Sequence, residues 1–147
     1  MEEPEKGIVF RLATLNDSFP PESLKLHVSH LELSERDKER TPPLLSVFDG
    51  SCTTIQQAEA IRGVAAESAA FGLRVETIRC IRVPGLRSLR VLRDPLDPPL
   101  SGLPGADGHC GIEGLHRGAG EEKRLYRELR VRLADESFRY QDGMVGS

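Results

Sequence analysis

Residues 44–83 constrain the fold most, because one short span carries the signals of a strand, a helix and a second strand. Its first five residues form a compact apolar run that predicts a buried strand, and residues 49–52 predict a tight turn. Thr54, with Gln57 three positions later, is typical of a capping box at a helix start. Apolar residues then recur at helical spacing, and Gly72 suits the end of that helix.

The β-branched residues of the segment 74–83 predict the second strand of this unit. A strand, a helix and a strand joined by short connections form a βαβ unit, whose strands run parallel with a right-handed crossover. We expect the helix to pack Ile55, Ile61 and Ala65 against the sheet.

Weaker patterns place other elements around this unit. They predict strands at residues 7–13, 23–33, 86–92 and 109–115, loops at 34–43 and 94–108, and a second helix at 121–134. Pro84 and Gly85 allow a hairpin between 74–83 and 86–92. The fold class that follows is α/β (mixed α+β): one domain over residues 1–140, with a mixed β-sheet containing one βαβ unit, two main helices, and a frayed tail at 141–147.

Composition narrows the classes of function. A length of 147 residues can bury a core without disulfides or metals. A net charge of −3 argues against a dedicated nucleic-acid-binding protein, which is usually basic. Three cysteines without a CxxC pair predict reduced thiols, and the acidic N-terminus lacks a signal peptide. We therefore expect a cytoplasmic protein that binds no membrane.

The first candidate site is the turn at residues 49–54, between a strand and a helix N-terminus. Free backbone N–H groups and the helix dipole favour anions there, and they would lower the pKa of Cys52 and make it nucleophilic. The alternative, which we favour, is that these residues only cap the helix and close the turn.

The second candidate is the glycine-rich segment 105–117, because glycines allow close approach of a ligand or partner. It gathers Asp107, His109, Cys110, Glu113, His116 and Arg117. Adjacent residues of a strand point to opposite faces, so a Cys110 nucleophile would need its base from His27, His30 or His116 rather than from His109. The alternative is a loop along a sheet edge with Cys110 as a small buried residue. The spacing fits no zinc motif, so we predict no metal.

The third candidate is the arginine-rich segment 74–93, which holds six arginines and one glutamate, a net charge of +5. In a hairpin, Arg79 would face Arg90 and Arg82 would face Arg87, and like charges opposite each other are destabilising. Something acidic should therefore lie between them, either a partner or this chain's own carboxylates. No aromatic residue in the segment is available for base stacking.

These observations predict a non-catalytic protein-binding component of a bacterial-type cytosolic multi-protein system, such as a toxin–antitoxin or antiviral system, without a cofactor. Its binding residues would be those of the glycine-rich segment together with Arg79, Arg82, Arg87 and Arg90. One alternative is a cysteine-dependent hydrolase or transferase, with Cys110, Cys52 and His109 as catalytic candidates. A weaker alternative is a nucleic-acid-binding protein that uses the arginines. The sequence leaves the oligomeric state and the question of catalysis open.

Overall fold

Six strands form one sheet in the computed structural model, which describes residues 7–40, 42–63, 67–115 and 122–144. The strands are β1 (Ile8–Thr14), β2 (Leu44–Asp49), β3 (Ser68–Arg74), β4 (Arg90–Arg93), β5 (His109–Glu113) and β6 (Phe138–Arg139). The helices are α1 (Glu35–Lys38), α2 (Ile55–Arg62), α3 (Val75–Cys80) and α4 (Glu122–Asp135). The predicted α+β class is confirmed, with α2 and α4 as the two main helices.

The sheet has the order β4-β5-β2-β1-β3-β6, and each described pair of neighbours is antiparallel. Because β2 and β3 both run antiparallel to β1, they are parallel to each other with β1 between them. The helix α2 connects them, so the predicted βαβ unit is present in a split form. The sheet is antiparallel in its pairing rather than mixed, because β1 separates the two parallel strands.

Both faces of the sheet are covered by apolar side chains. On one face, α3, α4 and residues 26–33 bury a large cluster in which α4 contributes Leu129 and Leu133. On the other face, α2 buries Ala58 and Ile61 against the sheet. Ile55 is only partly buried there, and Ala65 lies outside the described residues.

The helix α2 begins as predicted and ends earlier. The Thr54 hydroxyl accepts from the Gln57 N–H at 3.1 Å, and the Gln57 side chain accepts from the Thr54 N–H at 2.9 Å. The helix ends at Gly63, whose φ of 65° lies in the left-handed region and whose N–H donates to the Glu59 carbonyl. The prediction that Gly72 ends this helix is wrong, because Gly63 already provides the C-cap.

Residues 74–83 do not form the predicted second strand. That strand is β3, and the short helix α3 follows it directly. β3 is buried on both faces, so its apolar residues form a continuous run and do not alternate with polar ones. Such a run cannot be told from the sequence of a buried helix. In α3 the buried residues Val75 and Ile78 are three positions apart, which is helical spacing. The predicted hairpin with residues 86–92 is therefore wrong.

Two further segments differ from the sequence-based expectations. Residues 23–33 contain a 3-10 turn, Val28–Leu31, instead of a strand. Side chains take up the backbone N–H groups just before it, since Leu26 N donates to Ser137 Oγ at 2.8 Å and His27 N to His30 Nδ1 at 2.9 Å. Such bonds compete with strand pairing. The loop predicted at 34–43 contains α1, whereas 94–108 is irregular apart from two 3-10 turns, as expected.

Candidate functional site

The turn after β2 is satisfied by its own side chains. One carboxylate oxygen of Asp49 accepts from the Ser51 N–H at 2.9 Å and from the Ser51 hydroxyl at 2.8 Å. The first N–H of α2, from Ile55, donates to the Asp142 side chain at 2.9 Å. These amides are therefore engaged within the chain, which supports the capping interpretation of the turn over an anion site.

The two thiols predicted as nucleophiles, Cys52 and Cys110, flank Arg93. Its Nη1 lies 4.0 Å from the exposed Cys52 Sγ and 3.8 Å from the buried Cys110 Sγ. Its Nη2 forms an ion pair with Asp49 at 2.6 Å. Burial outweighs the nearby guanidinium and raises the pKa of the Cys110 thiol to about 11, so this thiol stays protonated at neutral pH.

No described histidine hydrogen-bonds to either of these thiols. At the 3-10 turn, the His30 ring accepts from the His27 backbone N–H, and the His27 ring accepts from the Ser29 backbone N–H. His116 lies outside the described residues. His109 is next to Cys110 in β5, but the two side chains belong to opposite faces, as predicted. The geometry therefore supplies no histidine base for a cysteine nucleophile among the described residues; the Cys52 thiol instead donates to the Asp49 carboxylate at 3.7 Å.

His109 forms its side-chain contacts with residues that the sequence analysis did not single out. Its Nε2 lies 2.6 Å from the hydroxyl of Ser46, on the neighbouring strand β2. Its Nδ1 lies 2.7 Å from the backbone carbonyl oxygen of Asp94 and 3.5 Å from the Asp94 carboxylate. Burial, which outweighs the hydrogen bond to Asp94, lowers the pKa of His109, so the ring is neutral at pH 7.

Asp94 connects this histidine to the surface. Both of its carboxylate oxygens accept from Arg40, at 2.6 and 2.7 Å, in a bidentate pair. The Asp94 side chain is only 4% exposed, whereas Arg40 is 40% exposed. A cavity of about 120 Å³ adjoins the pair and is lined partly by Asp94, Ser101, Asp107 and His109.

Packing explains two glycines of the segment 105–117. A Cβ at Gly108 would lie 2.0 Å from Thr53 Oγ1, and a Cβ at Gly111 would lie 2.6 Å from Leu44 Cβ. The backbone at Gly108, just before β5, and at Gly111, within β5, therefore lies too close to its neighbours for any side chain at these positions. Packing is therefore sufficient to require glycine at these two positions.

The other predicted site residues of this segment are spread over different environments. Asp107 is exposed, whereas His109 is buried. Glu113 is half-buried and lies opposite Arg90 in the sheet, with 3.5 Å between Arg90 Nη1 and Glu113 Oε1. His116 and Arg117 lie outside the described residues. The described part of the segment, residues 105–115, is thus a 3-10 turn followed by a mostly buried strand with few exposed polar groups.

The predicted arginines do not face one another in pairs. Arg79 is in α3, Arg82 and Arg87 are exposed between α3 and β4, and Arg90 begins β4. Arg82 donates to the carbonyl oxygens of Arg79 and Ile81. An acidic group lies beside Arg90, where the Glu113 carboxylate is 3.5 Å away. Arg87 has no hydrogen bond or ion pair with the described part of the chain.

The described residues contain no group of three or more His, Cys, Asp or Glu side chains arranged for a metal ion. None of the described helices has the length and apolar character needed to cross a membrane. The fold and site define an α+β domain with one antiparallel sheet. Comparison with protein families, with curated proteins and with solved structures returns no match.

Sequence reasoning missed Ser46 and Asp94 as partners of His109, and Arg40 as the partner of Asp94. These residues are 63, 15 and 69 positions away from His109, so no local motif links them. Ser46 and His109 meet because β2 and β5 are neighbours, and this pairing could not be read from periodicity. The only signal available was a serine inside an otherwise apolar strand.

Proposed function

We propose that the protein is a protein-binding component of a cytoplasmic, bacterial-type multi-protein system, and that its partner presents an acidic surface. The binding surface would be the segment between α3 and the end of β4, with Arg82, Arg87 and Arg90 as its exposed charges. The three free thiols support a reducing compartment for this role.

The observation that carries the proposal is the exposure of three arginines on one segment, one of which, Arg87, has no ion-pair partner among the described residues. Arg87 is exposed and has no ion-pair partner among the described residues. Arg90 is also exposed, and its Nη1 lies 3.5 Å from Glu113 Oε1. The Arg82 guanidinium bonds to carbonyl oxygens, which leaves its positive charge unneutralised. Arginine is enriched in protein interfaces because its planar group pairs with carboxylates in two-pronged geometry.

An acidic protein is favoured over a nucleic acid as the partner. The segment 74–93 has no aromatic side chain on which a base could stack. The whole chain carries a net charge of −3, so a long polyanion would be repelled outside this surface. A local acidic patch on another protein avoids that repulsion.

The test compares two single charge reversals, Arg87→Glu and Arg62→Glu. Both arginines are exposed and have no described ion pair, so neither change should unfold the protein. Arg62 ends α2, away from the proposed surface. We expect tagged wild-type protein and Arg62→Glu to co-purify the same partner from native cells, and Arg87→Glu to lose it or to retain it only at low salt.

Two outcomes would contradict the proposal. One is a partner retained equally by Arg87→Glu and the wild type. The other is a random-sequence oligonucleotide that binds the wild type with a steep salt dependence and loses affinity in Arg87→Glu, which would identify nucleic acid as the ligand.

A further inference from the structure

Ser46, His109 and Asp94 form a continuous hydrogen-bonded chain that the binding surface does not use. The Ser46 hydroxyl lies 2.6 Å from His109 Nε2, and His109 Nδ1 lies 2.7 Å from the Asp94 carbonyl oxygen. Ser46 is partly exposed, whereas the other two side chains are buried. The chain therefore runs from the surface into the protein interior.

The hydrogen bonds determine where the proton of His109 resides. A carbonyl oxygen can only accept, so Nδ1 carries the hydrogen that is donated to Asp94. In the neutral ring, Nε2 then has a free lone pair, and the Ser46 hydroxyl must be the donor in the short contact. This tautomer is the one that a general base needs in order to take a proton from a serine.

Neighbouring groups hold this arrangement in place. Arg40 fixes the Asp94 carboxylate through two hydrogen bonds. Arg11 donates to the backbone carbonyl of Ser46 at 2.6 Å. Ser46 and His109 are themselves in paired strands of the sheet. Reactive groups held on rigid elements by such supporting bonds are the arrangement that efficient sites use.

We propose that Ser46 is the nucleophile of an acyl-transfer site, with His109 as its base, acting on esters or thioesters of carboxylic acids. This goes beyond the proposed binding function and departs from the expectation of a non-catalytic component. Asp94 is a positioning residue, since it orients the imidazole without touching the reacting atoms.

The reaction balances without any cofactor. Ser46 Oγ forms a bond to the acyl carbon while its proton passes to His109 Nε2, and the leaving alkoxide or thiolate departs with that proton. Water then attacks the acyl-serine, its proton passes to Nε2 and returns to Ser46 Oγ, and the carboxylic acid is released. The net reaction is hydrolysis of one ester or thioester bond.

The first test is covalent labelling of the folded full-length chain with a fluorophosphonate, followed by intact mass and peptide mapping. We expect one label, on Ser46. Ser46→Ala should lower the labelling rate at least about 100-fold, in line with the loss of an activated nucleophile. The matched control is Ser18→Ala, which changes an exposed serine elsewhere and should label like the wild type.

The second test is the pH dependence of wild-type labelling, which needs no variant that could fail to fold. The rate should rise as pH increases through a value below 6.5 and be level at neutral pH, because protonated His109 cannot accept a proton. His109→Gln, if its circular dichroism matches the wild type, should be slower by about 100-fold. Asp94→Asn should shift this pH profile as well as lower the rate.

The proposal is overturned if folded wild-type protein takes no label on Ser46, or if Ser46→Ala labels as fast as the wild type. A rate that rises only above pH 8 would also overturn it, since ordinary surface nucleophiles would then account for the labelling. Because binding is measured with Arg87→Glu and labelling with Ser46→Ala, either proposal can fail while the other stands.

Discussion

The substitution Gly111→Ala tests whether packing, rather than function, requires glycine in β5. The added Cβ would lie 2.6 Å from Leu44 Cβ and 2.9 Å from Leu44 Cδ1. Leu44 is 1% exposed in β2, and its Cβ is attached to the strand backbone, so rotation of the side chain cannot relieve the closest contact. One of the two strands must therefore move by about 1 Å to reach an ordinary carbon–carbon distance.

The expected change in the free energy of unfolding is the sum of two opposing contributions. Overpacking a filled core destabilises by about 1–3 kcal/mol, and the upper end applies here because the clash involves a Cβ fixed to the backbone. Replacing glycine by alanine also restricts the unfolded chain, which offsets about 0.4–1 kcal/mol. We expect a net loss of about 2 kcal/mol in the free energy of unfolding and a fall in Tm of roughly 4–8 °C.

Urea denaturation and thermal melts of Gly111→Ala and Gly102→Ala measure this difference. A Cβ at Gly102 meets nothing within 4 Å, so the control should be within about 0.5 kcal/mol of the wild type or slightly more stable. In a double-mutant cycle, Leu44→Ala removes the contact with Cδ1 but keeps the Cβ, so most of the cost of Gly111→Ala should remain. The packing argument is refuted if Gly111→Ala is as stable as Gly102→Ala.

Three other predictions concern the thiols, the turn and α2. Alkylation without reductant should modify the two exposed thiols of the native protein, and Cys110 should react only after unfolding. Intact mass should then show three modified thiols, whereas a mass that lacks two alkyl groups would reveal a disulfide. Burial raises the pKa of Asp49, but hydrogen bonds from Ser51 and the charge of Arg93 lower it by more. The resulting stabilisation is present above about pH 4 and lost as pH falls through the lower folded pKa, so urea midpoints from pH 2 to 7 should fall less steeply in Asp49→Asn than in the wild type. Thr54→Ala should cost about 1 kcal/mol by urea denaturation whereas Thr54→Ser should cost little, and equal stability of the two variants would mean that the hydroxyl cap contributes nothing.

The sequence predicted local features of the fold better than long-range ones. The start of α2 follows from Thr54 and Gln57, whose side chains bond to each other's backbone within four residues. The boundary between helix and strand after Gly63 could not be found from periodicity, because β3 is apolar on both faces. The position of β1 between β2 and β3 depends on contacts across the sheet, and no local pattern encodes that order.

In the candidate site, too, local features could be predicted from the sequence and long-range contacts could not. His109 could be singled out as a residue with chemistry in a glycine-rich segment, and its position opposite to Cys110 follows from strand geometry. Its partner Ser46 could not be singled out from the sequence, because the contact between Ser46 Oγ and His109 Nε2 exists only after β2 and β5 have paired. The burial that raises the pKa of Cys110 likewise depends on the assembled core rather than on neighbouring residues.

The central position of β1 has a consequence for the order in which the chain opens and closes. β1 is paired with β3 along its whole length and with β2 at Val9 and Phe10, and both partners come later in the chain. The middle of the sheet therefore closes only after residue 74 has joined it. The edge strands β4 and β6 can open locally without disturbing β1, so their amide hydrogens should exchange with solvent first. Release of this one seven-residue strand would divide the sheet into two parts, and its amides should exchange only when the whole domain unfolds.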